Sequence, residues 1–293
     1  MKSGTREEFP GGAKILLAGA GLRAVARWSP DLAARAAGAL FRFPPRHRTS
    51  EAERRLLASG RRSLLTTASG RVAVWSWGQG PAILLVHGWG SRGVRLHSFV
   101  EPILAAGRSA VMFDAPGHGE SAGRLSSLPQ FVEALFAVAR EIDAPRAVVA
   151  HSMGGAATAV AMRRGFEVER AVFVAPAANP GAYSRRFAQA LGISADVRAR
   201  MERRFETRFG FRWEELDVPA AAGQMTAPLL VFHDEEDREV PWSNGAEIAR
   251  AWPGARLVTT RGLGHKRIVH DPDVVAEAVA FATSPAAVAA LTI

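Results

Sequence analysis

The sequence predicts an α/β fold, a mostly parallel, doubly wound sheet with helices on both faces. From about residue 70 of the 293-residue chain, short apolar runs alternate with helical stretches, the pattern of strands joined by crossover helices. Several runs are apolar throughout, as strands covered on both faces of a parallel sheet are. With 48% hydrophobic and 22% charged residues, the chain can bury a core of this kind.

Seven apolar runs are predicted to be strands, separated by glycine-rich turns or helical segments. They are Val72–Trp77, Ala82–Val86, Ala110–Phe113, Ala147–Ala150, Ala171–Val174, Leu229–Phe232 and Arg256–Thr259. After Ala175 the alternation stops for about fifty residues, where helical patterns cover Tyr183–Leu191 and Ala195–Phe209. Because ligands on open α/β sheets bind beyond the carboxyl ends of the strands, function should lie in the loops that follow these runs.

Residues 1–64 predict a basic helical extension that precedes the sheet. Ser29-Pro30-Asp31 supplies an N-cap, a proline at the first helical position and an acid in the first turn. Pro44-Pro45 ends the helix that follows. Ser50 and Glu53 form a capping-box pattern, and Gly60 suits the end of that helix. These signals indicate stable helices and carry no chemistry.

The formal net charge of +9 is concentrated at the N-terminus. Residues 1–62 hold thirteen Lys or Arg against five Asp or Glu, whereas the rest of the chain is close to neutral. Either the excess is a basic surface for an anionic partner, or it reflects a GC-rich coding genome, since 34 of the 37 basic residues are arginine. No nucleic-acid motif accompanies the charge, so we expect no nucleic-acid partner.

The apolar run Ile15–Leu22 is too short for a membrane-spanning helix, and the arginines that follow it fit a signal peptide poorly. We therefore expect a cytoplasmic protein. Three apolar residues of this segment recur at helical spacing: Ala18, Leu22 and Ala26. Either this stripe packs on the protein's own core, or it holds residues 1–62 against a membrane or another protein. The oligomeric state is left open.

The chain contains no cysteine, which excludes disulfides, thiolate metal ligands and a cysteine nucleophile. Its eight histidines include no HExxH pair and are scattered along the chain. We therefore expect neither a metal nor a cofactor, so the chemistry should come from other side chains.

The strongest chemical signal follows the predicted strand Ala147–Ala150. There, His151-Ser152-Met153-Gly154-Gly155 leads into the small-residue helix Gly154–Met162. A strand, a tight turn and a closely packed helix hold the residue at the tip in a strained conformation, which requires small neighbours. Ser152 is predicted to occupy that tip.

In these residues the sequence resembles the α/β-hydrolase family, whose nucleophile elbow has the form G-x-S-x-G. The resemblance spans about residues 70–283, and Ala150 replaces the first glycine of the elbow. It implies that Ser152 is the nucleophile. It also implies that His265, in the loop Gly262-Leu263-Gly264-His265, is the general base, with the family order of serine, acid and histidine.

The resemblance also points to the acid that orients the base. The segment His233-Asp234-Glu235-Glu236-Asp237 contains four carboxylates that are candidates for this acid. Asp237 stands three residues before Val240-Pro241, as the family acid does, and Asp234 is the second choice. His270 is the nearest rival to His265, but it lies at a helix entry and is expected to be structural.

The same resemblance assigns the backbone N–H groups of Trp89 and Met153 to an oxyanion hole. His87 and Gly88 shape the turn that directs Trp89 inward, and His151 and Gly154 complete the motifs around the strand ends. The loop Asp114–Ser121 is expected to be a structural turn beside the pocket, supported by His118.

Where the strand alternation stops, the family inserts a cap over the active site. We therefore expect a cap at residues 177–224 and a core formed by residues 65–176 and 225–293. Six apolar side chains of the cap either line an acyl or alcohol pocket or form the cap's own core: Phe187, Met201, Phe205, Phe209, Phe211 and Trp213.

The implied function is hydrolysis of a small-molecule carboxylic ester through an acyl-enzyme on Ser152, without a cofactor. The same three residues serve thioesterases, acyltransferases and cofactor-free haloperoxidases, and a ligand-binding, receptor-like protein with slow turnover is a further alternative. The sequence does not specify the acyl and alcohol groups of the substrate.

Overall fold

The computed structural model describes residues 12–46 and 48–284. Its strands are β1 (Arg61–Thr67), β2 (Gly70–Trp77), β3 (Ala82–Val86), β4 (Ser109–Phe113), β5 (Ala147–His151), β6 (Arg170–Val174), β7 (Leu229–Asp234) and β8 (Arg256–Thr260). In the described chain they form one eight-stranded sheet in the order β1-β2-β4-β3-β5-β6-β7-β8. Strand β2 pairs antiparallel with β1 and β4, and every other neighbouring pair is parallel. The predicted fold class is confirmed.

The sheet begins earlier in the sequence than predicted. Strand β1 forms a hairpin with β2, in a register that runs from Arg61 opposite Ser76 to Thr67 opposite Gly70. Its sequence, Arg-Arg-Ser-Leu-Leu-Thr-Thr, lacks a continuous apolar run because it is an edge strand that alternates between exposed and half-buried positions. The last four residues of the predicted extension, 61–64, therefore belong to the sheet.

The helices are α1 (Gly12–Ala26), α2 (Pro30–Phe41), α3 (Glu51–Ser59), α4 (Val100–Ala105), α5 (Leu128–Glu141), α6 (Met153–Arg163), α7 (Pro180–Leu191), α8 (Ala195–Phe209), α9 (Val218–Ala222), α10 (Trp242–Ala251), α11 (Gly264–Arg267) and α12 (Pro272–Thr283). Three short 3-10 helices lie at Gly93–Phe99, Trp213–Leu216 and Ile268–His270. The predicted N-cap at Ser29 and the capping box of Ser50 and Glu53 are present, and Gly60 is the C-cap of α3.

Two apolar clusters cover the two faces of the sheet. One contains side chains of α5, α6 and α10, including Phe131 and Ile248. The other contains side chains of α4 and α12, including Ile103 and Val274. Burial on both faces explains why the central strands are apolar throughout.

The N-terminal helices α1 and α2 pack on the helices α7 and α8, which lie within the predicted cap. A third apolar cluster joins them and includes Leu22, Ala33 and Met201. At Gly19 a side chain would not fit, because an added Cβ would lie 2.3 Å from the carbonyl oxygen of Leu191. Arg23 Nη1 donates to that same oxygen at 2.7 Å. The described part of the extension is therefore closely joined to α7 and α8.

The stripe of Ala18, Leu22 and Ala26 faces inward into this third cluster, as the first of the two alternatives for it predicted. Residues 1–11 of the predicted extension and residues 285–293 of the predicted core lie outside the described residues.

Two glycines allow α6 to approach the ends of β3 and β5. A Cβ on Gly154 would lie 2.6 Å from the carbonyl oxygens of both Val86 and His87. A Cβ on Gly88 would lie 2.8 Å from Ser152 Cβ. These close contacts bring the loop after β3 against the turn at Ser152 and leave no space for a larger residue at either glycine.

Gly154→Ala should therefore destabilise the protein, whereas the matched change Gly21→Ala in α1 should not. The first change forces backbone atoms apart and should lower the free energy of unfolding by about 1–3 kcal/mol. An added Cβ on Gly21 has nothing within 4 Å, so alanine there should be neutral or raise that free energy by up to about 1 kcal/mol. Urea unfolding of both variants measures this, and equal stabilities would contradict the packing at Gly154.

Candidate active site

Ser152 lies at the turn between β5 and α6, in a backbone conformation that non-glycine residues rarely adopt. Its φ is 55° and its ψ is −123°, which costs on the order of 1–3 kcal/mol and must be maintained by the surrounding structure. The N–H of Ser152 donates to the carbonyl of Val174 at 3.0 Å, and the carbonyl of Ser152 accepts from Gly155 N–H at 3.0 Å. Ala150, which replaces the first glycine of the motif, is a buried residue of β5.

A chain of hydrogen bonds joins Ser152, His265 and Asp237. His265 Nε2 lies 3.0 Å from Ser152 Oγ, and His265 Nδ1 lies 2.7 Å from Asp237 Oδ2. Because an ionised carboxylate only accepts, Nδ1–H donates to Asp237, and Nε2 is left to accept from the Ser152 hydroxyl. Each residue is less than 9% exposed. The structure thus brings together the serine, histidine and acid that the sequence singled out.

Asp237 is held as an ionised acceptor. The N–H groups of Glu239 and Val240 both donate to its Oδ1 at 2.8 Å, so each carboxylate oxygen has a donor. Burial alone would raise the pKa of Asp237, but hydrogen bonds from His233, His265 and the backbone hold that pKa well below its usual value. The acid therefore stays charged beside His265 across the neutral range.

Asp234, the second choice for the acid, has a different position. Its Oδ2 accepts from the Thr260 hydroxyl at 2.8 Å and from Leu263 N–H at 3.0 Å, and its Oδ1 accepts from Glu236 N–H at 3.0 Å. Although burial works in the opposite direction, these hydrogen bonds lower the pKa of Asp234. This carboxylate connects the end of β7 to the loop that carries His265 by hydrogen bonds. Among the hydrogen bonds of the described residues, it makes none to the His265 side chain.

His233 is a contact of the acid that the sequence did not reveal. The ring is fully buried; its Nε2 lies 3.0 Å from the carbonyl oxygen of Val240 and 3.5 Å from Asp237 Oδ2. A nitrogen facing two acceptors must carry the proton, so Nε2–H donates towards both. Glycine at 245 makes room for the ring, because a Cβ there would lie 2.5 Å from His233 Nδ1. A histidine directly after the predicted strand Leu229–Phe232, four residues before Asp237, was the available signal.

His151, the residue before Ser152, contacts the loop of His265. Its Nε2 lies 2.9 Å from the backbone carbonyl of His265, so Nε2–H is the donor, and the two ring centroids are 4.7 Å apart. Burial and the neighbouring His265 lower the pKa of His151 to about 3. A neutral His151 therefore fixes the backbone of His265 without adding charge to the site.

Trp89 and Met153 flank the Ser152 turn on two elements. Met153 is the first residue of α6, and Trp89 follows Gly88, where an added Cβ would lie 2.8 Å from Ser152 Cβ. Among the hydrogen bonds of the described residues, none uses the backbone N–H of Trp89 or Met153. Both N–H groups remain available near the helix N-terminus, where the macrodipole favours an anion.

Two buried histidines fix the loop that contains Trp89. His87 Nε2 accepts from Ala115 N–H at 3.0 Å, so its Nδ1–H donates to the carbonyl of Gly88 at 2.7 Å. His118 Nε2 likewise accepts from Gly90 N–H at 3.0 Å. Burial lowers the pKa of His87 to about 4 and that of His118 to about 3. His118 was expected to support its own turn, and it also bonds directly to the loop of Trp89.

Asp114 organises the loop that was expected to be a structural turn. Its carboxylate accepts from Gly93 N–H and Glu120 N–H, both at 2.8 Å. Gly119 packs so closely that an added Cβ would overlap this carboxylate. Burial raises the pKa of Asp114. Asp114 therefore joins the start of the 3-10 helix at Gly93 to the turn that carries His118.

His270 lies apart from this chain of hydrogen bonds. Its ring stacks on His97 with centroids 4.9 Å apart, and its Nδ1 lies 2.8 Å from Ser98 Oγ. Both rings are exposed. Ser98 and His270 therefore form a second serine–histidine contact, at the surface and separate from Ser152.

The apolar side chains of the predicted cap pack on one another, on α2 and on the cluster that covers one face of the sheet. Phe41 contacts Phe187 and Trp213 at centroid distances of 5.1 and 6.1 Å, and Phe205 lies 4.8 Å from both Phe209 and Trp213. Met201 is 3% exposed in the cluster with α2. Phe211 is covered by the Arg164 guanidinium, 3.6 Å from its ring centroid. These contacts favour the cap-core alternative over the pocket lining.

A cavity of about 960 Å³ lies at the opposite edge of the sheet from Ser152. It is bordered by the amino ends of β3, β5, β6 and β7, with Pro81, Arg146, Phe166 and Met225 among its lining residues. Ligands on parallel sheets bind at the carboxyl ends, so its position does not suggest the reaction site. Among the described residues, no group of three or more His, Asp or Glu could hold a metal ion.

The buried histidines should make the protein less stable as the pH falls from about 6.5 to about 4. Below about pH 6.5 the unfolded chain takes up protons at His87, His118 and His151, but the folded chain, with pKa values of about 3 to about 4, does not. Each histidine should lower the free energy of unfolding by up to about 1.4 kcal/mol per pH unit. The carboxylates with lowered pKa values, Asp234 and Asp237, change the free energy of unfolding only below about pH 4, where the unfolded chain begins to protonate them.

Urea unfolding across this pH range measures the slope of the free energy of unfolding against pH. His118→Gln should reduce that slope by the contribution of one proton, up to about 1.4 kcal/mol per pH unit. A free energy of unfolding that does not change between about pH 7 and about pH 5 would contradict the neutral, buried state of these rings.

Comparison with known proteins identifies relatives along most of the chain. Over 242 residues it is 28% identical to a pimeloyl-[acyl-carrier protein] methyl ester esterase of Xanthomonas oryzae pv. oryzae, covering 69% of this chain and 94% of that protein. Over 80 residues it is 41% identical to the dihydrolipoyllysine-residue acetyltransferase component of the acetoin cleaving system of Pseudomonas putida. That alignment covers 26% of this chain and only 21% of that protein.

Among solved structures, an esterase from Exiguobacterium antarcticum has a similar fold, with a TM-score of 0.58 at 13% identity, covering 76% of this chain and 99% of that one. The model of the Alpha/beta hydrolase family matches residues 83–278, which include β3 to α12 in part or whole and all three residues of the hydrogen-bonded chain. This match covers more than half of the sequence, and the chain therefore belongs to the α/β-hydrolase family.

Proposed function

We propose that this protein is a serine hydrolase that cleaves carboxylic esters through an acyl-enzyme on Ser152. The observation that carries the proposal is the contact of 3.0 Å between Ser152 Oγ and His265 Nε2, with Asp237 bonded to the far side of the same ring. A serine hydroxyl is a weak nucleophile at neutral pH, and a base in this position removes its proton as it attacks.

In the first half of the reaction, Ser152 Oγ attacks the ester carbonyl carbon while its proton passes to His265 Nε2. The tetrahedral intermediate then collapses, the bond from carbon to the alcohol oxygen breaks, and His265 returns the proton to the departing alcohol. Asp237 stabilises the imidazolium that forms between these steps, because its charge lies 2.7 Å from Nδ1.

In the second half, a water molecule gives a proton to His265 Nε2 and its oxygen attacks the acyl carbon. Collapse of the second tetrahedral intermediate breaks the bond to Ser152 Oγ, which takes the proton from His265. A carboxylic acid leaves, and the three side chains return to their starting states.

The N–H groups of Trp89 and Met153 are proposed to stabilise the negative oxygen of both intermediates. Each such donor contributes about 3–4 kcal/mol in enzymes where one has been removed. The hydrogen bond from Gly90 to His118 and the packing of Gly88 on Ser152 keep these donors near the nucleophile.

The relatives support an ester as the substrate class. The protein that matches along 69% of this chain is named as a methyl ester esterase. A serine rather than a carboxylate at the elbow also favours acyl transfer over substitution at a saturated carbon.

Ser152→Ala should abolish turnover of short p-nitrophenyl esters, with kcat/KM reduced by about 10³-fold or more. The matched control is Ser98→Ala, because Ser98 also contacts a histidine, at 2.8 Å, but lies on the surface. Circular dichroism establishes that both variants are folded. Undiminished turnover by Ser152→Ala, or an equal loss in Ser98→Ala, would refute the assignment of the nucleophile.

The effects on kcat of replacing Asp237 and Asp234 should differ. Asp237→Asn should lower kcat by about 10³- to 10⁴-fold, since the histidine loses the partner that sets its tautomer. It should also lower the free energy of unfolding by about 1–3 kcal/mol, because the N–H groups of Glu239 and Val240 lose an ionised acceptor. Asp234→Asn should lower kcat much less but reduce the free energy of unfolding by about 1–3 kcal/mol, because buried N–H groups lose their acceptor. Steady-state kinetics and urea unfolding are measured for both. The assignment of the acid would fail if Asp234→Asn gave the larger kinetic loss at unchanged stability.

A further inference from the structure

The first N-terminal helix has two apolar faces, and only one of them is buried. The buried face carries Leu22, which packs towards α2 and α7. On the opposite face the solvent-exposed positions at helical spacing are Leu17, Ala20, Gly21 and Ala24, and none is charged. Leu17 is 74% exposed, and Trp28, two residues beyond the end of the helix, is 92% exposed. Leaving side chains of this size in water costs free energy that a soluble surface normally avoids.

The second N-terminal helix repeats this arrangement. Its inner face carries Ala33, Ala34 and Ala37, which are at most 1% exposed. The outer face has four exposed apolar residues at helical spacing, namely Leu32, Ala36, Ala39 and Leu40, and Phe43 follows two residues after the end of the helix. Leu32 is 54% and Phe43 is 47% exposed. Since α1 and α2 both use their inner faces against α7 and α8, the two exposed stripes face away from the protein and form what we call the outer apolar surface.

Basic residues accompany the outer apolar surface. Residues 12–46 contain six Lys or Arg and one acidic residue, Asp31. The Asp31 carboxylate is already paired with Arg200 Nη1 at 2.9 Å, so it offsets little of the positive charge around the surface. Arg27 and Arg35 are exposed beside the apolar stripes, and the Arg124 guanidinium lies 5.9 Å from the Phe43 ring centroid.

We propose that the outer apolar surface binds the face of a membrane that contains anionic lipids. Exposed leucine and tryptophan side chains flanked by arginines are the combination that partitions into the headgroup region, where each basic residue adds about 1 kcal/mol of attraction to anionic lipid. A second copy of the chain would bring two positively charged surfaces together, so the charge favours an anionic partner. Within the described residues, no helix is long and apolar enough to cross a bilayer.

The geometry also sets how the protein lies on such a membrane. Because α1 and α2 cover α7 and α8, the outer apolar surface is the side of the molecule beyond the predicted cap. Binding through it places α7 and α8 between the bilayer and the rest of the fold. This interaction does not depend on the proposed ester hydrolysis, and its test has a separate readout.

Co-sedimentation with vesicles tests the proposal on the full chain. Vesicles of equal parts phosphatidylglycerol and phosphatidylcholine should bind the protein, and vesicles of phosphatidylcholine alone should bind it about 10-fold more weakly or worse. The double variant Leu17→Gln with Trp28→Gln should weaken binding to the anionic vesicles by about 10-fold or more. Arg27→Gln with Arg35→Gln should weaken binding and reduce its dependence on salt.

The matched control is Leu64→Gln, which changes an exposed leucine on β1 that is 42% exposed and outside the outer apolar surface; its binding should equal that of the unchanged protein. All variants alter exposed side chains, so thermal unfolding should remain the same. The proposal is overturned if the unchanged protein fails to bind anionic vesicles, or if the Leu17 and Trp28 variant binds as well as the control. It is also overturned if that variant only converts a dimer to a monomer in light scattering, with vesicle binding unaffected.

Discussion

The turn at Ser152 depends on the absence of side chains at two neighbouring glycines. Gly154 brings α6 within contact of the carbonyl groups that end β3, and Gly88 brings the following loop against Ser152 itself. With the helix this close, the backbone at Ser152 is forced to a φ of 55°, and its hydroxyl is directed towards the loop of His265. Ala150 does not disturb this arrangement, because the close contacts are made after the serine and in the loop of Gly88.

Around that turn, each loop is fixed by a buried or half-buried polar side chain that is not part of the hydrogen-bonded chain. His118 holds the loop of Trp89, Asp234 holds the loop of His265, and His151 bonds to the backbone of His265. The histidines are neutral because burial lowers their pKa values, whereas hydrogen bonds keep Asp234 and Asp237 ionised. These charge states follow from burial and from the donors and acceptors that each group contacts. Between them, the ring of His265 lies 3.0 Å from Ser152 Oγ.

The parts predicted from the sequence are those with a local signature. Continuous apolar runs identified the parallel strands, and small residues around Ser152 identified the elbow. Strand β1 was not predicted, because an edge strand can be half polar and need not contain an apolar run. It is held in the sheet by its pairing with β2 across the hairpin. The spacing of Asp237 to Val240-Pro241, read through the family resemblance, indicated which acid faces His265. The contacts of Asp234 with Leu263 and of His233 with Val240 are formed only in the fold, so the sequence did not show how these two residues support the site. Likewise, the aromatic residues of the predicted cap found partners on α2, a helix more than a hundred residues away in the sequence.

In the proposed reaction, His265 activates Ser152 in the folded protein. A fluorophosphonate reacts covalently with such a serine, and peptide mass spectrometry locates the adduct. We predict a single adduct on the peptide that contains Ser152, formed rapidly by the folded protein, slowly by His265→Ala, and at an unchanged rate by His270→Ala. An adduct on another residue, or labelling of Ser152 that is as fast in His265→Ala as in the unchanged protein, would contradict the account.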